Sequence, residues 1–439
     1  SISLAGISTR NGSGNGGEIN IATSGLLDVT GATTRENGVT VKDNQPISNS
    51  FSIGSEANGN GGDIKIFADG GIRTRAGIVS NSCIVGNNCL LSGNAGRINL
   101  TTKNGDINIR AGIIDSSSQR GDAGAVNFDA GGNIIADNVL INASSTFAIG
   151  NGGNVEIMAN KDILAGSIES TGLLGGNITL NSGVNISVNN NDIATISTGS
   201  GIRGQINLTG RQISLKNARI GNLSYGGNDG GNIVVRGSEK VEIASEPGSN
   251  STVTGGTLLF EVLRGIKGAG IITTVLSGNG KSGDINIETP QLSIRKNSLS
   301  DSNSLVGIGT LTFPDSIANA GNIKINALEF IDINGNDKNA FSLAPSDNLQ
   351  TNRDNALGIQ RLRTGITSAT QGSGNAGQIE IETGRLSIKD GAAITSGVTN
   401  ERTGQGNNII INRNFNPNSL VELQNTSAIA TASLGGSQS

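Results

Sequence analysis

Histidine and tryptophan are absent from this chain and tyrosine occurs once. Its chemistry must therefore come from carboxylates, amides, hydroxyls and two thiols. The thiols, Cys83 and Cys89, lie close together in NSCIVGNNCL, beside the turn residues Gly86, Asn87 and Asn88. They are candidates for a small disulfide loop, the alternative being two free thiols in an inserted loop. With no histidine and no third cysteine, zinc chemistry lacks ligands. Arg120-Gly121-Asp122 is an integrin-type tripeptide and a candidate adhesion motif, although Gly-rich turns produce such triplets by chance. Carboxylates and amides also recur at one place in a repeat: Glu18, Asp63, Asn154, Asn177, Gln205, Asn232, Asp284, Asn322 and Gln378. One reading is a calcium line. The favoured one is a structural amide ladder through Asn154, Asn177, Gln205 and Asn232, whose side chains hydrogen-bond to each other along a stack.

Other motifs dissolve on inspection. Gly12, Gly14 and Gly17 match GxGxxG, but no strand precedes them in register and no helical pattern follows, so they read as turn glycines rather than a dinucleotide site. Gly280-Lys281-Ser282 ends like a phosphate loop, yet Val275 stands where the first glycine is required. Glycoside cleavage needs a close pair of carboxylates in a groove, whereas here outward charges change identity from repeat to repeat. We expect no catalytic, cofactor-binding or metal residues. The net charge of −4, with signs interspersed, offers no polybasic face to nucleic acid. No stretch reaches the roughly 18–20 apolar residues of a membrane span.

The recurring polar residues are positioned by a repeat. In Gly374–Gly397, GNAGQIEIETGRLSIKDGAAITSG, three apolar-x-apolar pairs (Ile379/Ile381, Leu386/Ile388, Ala392/Ile394) are separated by Gly, Asp and Asn turn chemistry. Period-two alternation over so few residues means a strand with one buried face. A first strand follows a Gly-Gly or Ala-Gly step about a dozen times, from GGEINI at Gly16–Ile21 through GGNVEI at Gly152–Ile157 to GNNIII at Gly406–Ile411. Between Ala123 and Val235 the steps fall roughly 23–29 residues apart, one turn of a solenoid. Second strands follow at Ile213/Leu215, Val241/Ile243, Leu292/Ile294, Ile331/Ile333 and Val421/Leu423, and third strands at Ala218/Ile220 and Ala428/Ile429. The expected fold is all-β: a three-sided, right-handed parallel β-helix, one continuous solenoid over residues 1–439.

Where the spacing widens we expect inserted loops, near 32–46, 73–92, 246–267, 301–318 and 335–363. Two of them, Glu246–Lys267 and Gly335–Arg363, fall between a second and a third strand and should leave from one shared corner. Thr257–Ile266 is apolar enough to pack against the solenoid. The chain begins at Ser1 inside the repeat, which reads as a mature or cut segment. Neither end shows a cap, so self-association through end rungs is expected to be open to it.

The repeat at Gly374–Gly397, and again over Gly150–Ser214, resembles that of filamentous-haemagglutinin-like exoproteins of two-partner secretion systems, especially cyanobacterial members. Their repeats run G-N-A-G-x-I-x-I, then L-x-L-x-N/D-G-A-x-I. The resemblance covers essentially the whole chain, but the secretion domain at the family's N-terminus is missing, and Asn416-Pro417-Asn418 does not replace it. It implies a β-helix whose precursor crosses the outer membrane of a Gram-negative-type bacterium through a barrel transporter and is displayed at the cell surface. The expected function is a non-enzymatic structural segment of a surface fibre or adhesin, with a host or neighbouring cell surface or a glycan as partner. The alternative is a glycan-binding or glycan-cleaving β-helix.

Overall fold

A computed structural model describes residues 2–4, 7–11, 14–29, 51–75, 77–82, 93–110, 112–147, 149–199, 204–225, 227, 229–246, 268–297, 305–314, 316–336, 364–398, 404–412 and 419–433. These form two compact units, Ser1–Asn185 and Ile186–Ser439. Each is a parallel β-helix, and no helix occurs among the described residues.

The alternating pattern sets the register. In the first unit, the column Ile19, Ile64, Ile98, Val126, Val155 and Ile178 runs through successive first strands, paired residue to residue. All six are nearly or fully buried. The second unit has the matching column Ile206, Ile233, Ile285, Ile323, Ile379 and Ile409. A one-residue slip would turn every one of these side chains outward, and burying each contributes about 1.5–3 kcal/mol. The second strands expected at Ile213, Val241, Leu292 and Ile331 are where the pattern put them, with buried side chains.

The units differ at the corner between first and second strands. In the first unit, turns such as Asp69-Gly70 and Asn104-Gly105 separate two short strands, for example Ile64–Ala68 and Gly71–Thr74. In the second unit the two run on as one bent strand: Ile206–Lys216, Ile233–Ser245, Ile285–Lys296, Ile323–Asn334 and Ile379–Lys389. Register shifts mark the bend. The corner into the third strand is made by Asn190, Asn217, Asn336, Asp390 and Asn425, all with φ near +50°. Asn and Asp tolerate that left-handed conformation best after glycine.

Two insertions expected from spacing contain core strands instead. Leu305–Thr312 lies within 301–318, and Gly77–Asn81 within 73–92. Both are third strands; Val306, Ile308, Ile78 and Val79 are fully buried. Most of 246–267 and 335–363, and all of 32–46, lie outside the described residues, as do Thr257–Ile266, Cys83 and Cys89. The two long insertions do join a second strand to a third, from Ser245 to Gly268 and from Asn334 to Gly365.

The glycine before most first strands is required by close approach between turns; Asn407 stands at this place before Ile409. A Cβ on Gly153 would lie 2.0 Å from the Gly124 carbonyl oxygen, and one on Gly283 would lie 1.8 Å from that of Gly231. The same glycine carbonyls receive hydroxyls from the third strand: Ser80 to Gly62 at 2.7 Å, Ser170 to Gly153 at 2.8 Å, Thr310 to Gly321 at 2.7 Å. An inward Ser or Thr in most third strands, and Asn222 in Arg219–Ser224, thus ties the rung closed and satisfies its own polar group.

Candidate functional site

The corner before the first strand gathers the recurring carboxylates and amides. It holds ladders, but of a different kind from the one expected. At Asp63, Asn154, Asn232, Asp284 and Asn322 the side-chain oxygen accepts a hydrogen bond from the backbone N–H of the next rung, not from another amide. In the first unit, Asp63 Oδ1 accepts from Arg97 N at 2.8 Å and Asn154 Oδ1 from Asn177 N at 2.8 Å. In the second, Asn232 accepts from Asp284 N, Asp284 from Asn322 N, and Asn322 from Gln378 N, at 2.8, 2.6 and 2.9 Å. Gln205 stands at the same place before Ile206. Asn and Asp accept the same bond at this position, so the charge of Asp is incidental; Arg97 and Ala125 stand at the same place before Ile98 and Val126. Glu18 is one methylene longer and instead meets Lys65 at 2.5 Å. The hydrogen bond from Lys65, helped by one from Asn20, holds its carboxyl below the usual range.

Three residues earlier runs a second ladder that the sequence reading missed. Asn15, Asn60, Asn94 and Asp122 each accept from the backbone N–H one rung on, at 3.0, 2.8, 2.8 and 2.8 Å. The signal was the residue before the Gly-Gly or Ala-Gly step. Asp122 belongs to the Arg-Gly-Asp tripeptide. Its Oδ1 holds Asn151 N, its own N–H donates to Asn94, and Gly121 N donates to Ser118 Oγ at 2.8 Å. The tripeptide is therefore pinned at three points, with Arg120 exposed. The two ladders line a shallow groove of about 480 Å³.

A second polar constellation lies in the first unit on the outer face of the sheet that the third strands form, the third sheet of the coil in chain order. Asp115, half-buried, accepts from Asn81 Nδ2 and Asn142 Nδ2, each at 3.0 Å. Ser117 N adds a bond to Oδ1 at 3.2 Å. Burial pushes the Asp115 carboxyl up from its ordinary value, against the lowering effect of these hydrogen bonds. The strand register places Asn142 between Asp115 and Glu169, and Glu169, 1% exposed, accepts from Thr171 Oγ1 at 2.8 Å. The Oδ1 atoms of Asn81 and Asn142 are buried without a donor.

In the second unit the third sheet's outer face holds one charged pair, Asp192 and Arg219. The guanidinium donates from Nε at 2.7 Å and from Nη2 at 2.5 Å, and both residues are buried. Such a bidentate fit is what a desolvated carboxylate needs. Much of the rest of that face is apolar: Ala194, Ile196, Leu223, Ile272, Leu311 and Ala369 form one buried cluster with Leu276 and Phe313 against it, while Thr274 stands in register between Leu223 and Leu311 and Thr367 shares a hydrogen bond with Thr395 at 3.1 Å.

Among the described residues, no three His, Cys, Asp or Glu side chains converge as a metal cluster, and no helix is long and apolar enough to cross a membrane. Phe67, 41% exposed, lies in a shallow groove on the first-strand face with Asn20, Lys65, Asn99 and Thr101. No protein-family model, curated protein or solved structure matches the chain.

Proposed function

We propose that the chain is a non-enzymatic structural segment of a secreted surface fibre or adhesin, acting as a stiff β-helical rod. The observation that carries this reading is the use of the repeat's polar side chains. At the corners they bond the next rung's backbone, and inside they tie the third strand to the first. Each such bond contributes about 1 kcal/mol, repeated along the stack, which favours rigidity and resistance to proteolysis. The resemblance of the repeat supplies the setting: export of a precursor through an outer-membrane transporter and display at the cell surface.

End-to-end association fits the same reading. Val421 and Leu423 are 45% and 49% exposed, while Leu386 and Ile388, their partners one rung below, are fully buried. A further parallel turn, of the same chain or of another copy, would cover them. Electron microscopy at increasing protein concentration tests this. Stiff rods, stable to a broad protease, are expected; compact or protease-labile particles would remove the structural role, and rods that never lengthen would remove stacking. Glycan binding is the second reading, favoured by Phe67 among amides, since an exposed ring in a polar groove can stack on a sugar. A glycan array on which wild type and Phe67→Ala give equal, background signal would dismiss it.

A further inference from the structure

We propose that Asn81, Asp115 and Asn142 form a binding site for a hard divalent cation of the calcium type, with Glu169 adding charge from the neighbouring rung. Asp115 is a partly buried carboxylate whose hydrogen-bond partners, Asn81, Ser117 and Asn142, are all neutral. The buried carboxylate of the other unit, Asp192, meets a guanidinium. Two amides clamp Asp115 from the rungs on either side. Each spends its Nδ2 on the carboxylate and keeps a buried Oδ1 with no donor. Asn81 is the sharper case, being only 8% exposed with its side chain aimed at Asp115.

A half-turn about the Cβ–Cγ bond exchanges the two ends of an amide. With both amides turned, four oxygens from three side chains face one another: two from Asp115, one from Asn81 and one from Asn142. Oxygens so placed repel unless a cation lies among them. Hard cations such as Ca²⁺ take 6–8 oxygen ligands at about 2.3–2.6 Å, so an oxygen–cation–oxygen span is about 4.8 Å, which equals the spacing of neighbouring strands. The same turn points Asn142 Nδ2 away from Asp115, along the column toward the rung of Glu169, and ends the orphaning of its oxygen. Water completes the shell.

The test is titration calorimetry of the full chain with CaCl₂ after dialysis against a chelator. A saturable one-site heat is expected, weakened roughly tenfold or more, about 1.4 kcal/mol, by Asp115→Asn, which keeps size and removes charge. Glu169→Gln should weaken binding less. Asp122→Asn, at the exposed corner ladder, should leave the titration unchanged. Thermal unfolding without calcium establishes that each variant folds, and Asn142→Ala provides a second route to the site. No saturable heat with CaCl₂ or MgCl₂, or equal binding by wild type and Asp115→Asn, overturns the proposal.

Discussion

The third sheets of the two units share an inner face and differ on the outer one. Inside, both stack Ile at one position and a hydroxyl or Asn two residues on: Ile168 and Ser170 in the first unit, Ile220 and Asn222 in the second. Outside, the first unit carries Asn81, Asp115, Asn142, Ser144, Glu169 and Thr171, and the second carries the apolar cluster around Leu223 and Ile272. Strands buried on both faces need an outer layer as well as a core, and parallel register lets that layer be chosen independently of the core. The first unit relies there mainly on hydrogen bonds, with Val79 packed beside Asp115, and the second mainly on packing, with one neutralised ion pair and a Thr367–Thr395 hydrogen bond.

Breaking that ion pair should have the largest effect. Asp192→Ala strips the buried Arg219 guanidinium of its bidentate carboxylate, which should cost roughly 3–5 kcal/mol in urea unfolding. Replacing both residues by apolar ones of similar volume should recover most of it. Leu223→Ala should cost about 2–5 kcal/mol by opening a cavity, whereas Ser144→Ala in the first unit, which removes a bond from Thr171 N, should cost about 1 kcal/mol. Equal effects would mean that the two outer faces do not differ in kind.

Asp115 sharpens the contrast through pH. Its folded pKa is raised above the ordinary 3.8, so the folded chain holds this proton more tightly than the unfolded chain. The stability it contributes is complete below the unfolded value and is lost as pH rises through the folded one. Asp115→Asn should therefore raise the chelator-treated protein's melting temperature at neutral pH and flatten its dependence in the mildly acidic range. A variant profile parallel to wild type would contradict this. The smallest effect belongs to the corner: Asp63→Asn keeps the acceptor for Arg97 N and should change stability by under about 0.5 kcal/mol, whereas Asp63→Ala should cost about 1 kcal/mol.

The repeat made the first and second strands legible, because Ile-x-Ile beside a glycine step leaves one face to solvent and alternates visibly. Third strands such as Leu305–Thr312 and Gly77–Asn81 read as loops in the sequence. Buried on both faces and rich in Gly, Ser and Thr, they alternate in nothing a periodicity can show. Asp115 was overlooked for the same reason. Its place on the strand reads as outward and therefore wet, and only the fold shows that the outer face is covered. The corner amides were found at the right positions with the wrong partners, since spacing marks a column but not which atom receives the bond.

Hydrogen exchange of backbone amides tests the two-faced burial of the third sheet most directly. Peptides spanning Ser167–Gly172, Arg219–Ser224 and Leu305–Thr312 should exchange as slowly as the first strands Val155–Ala159 and Ile178–Ser182. Fast, loop-like exchange in any of the three, with the first strands protected, would show that the third sheet is not the doubly covered layer described here.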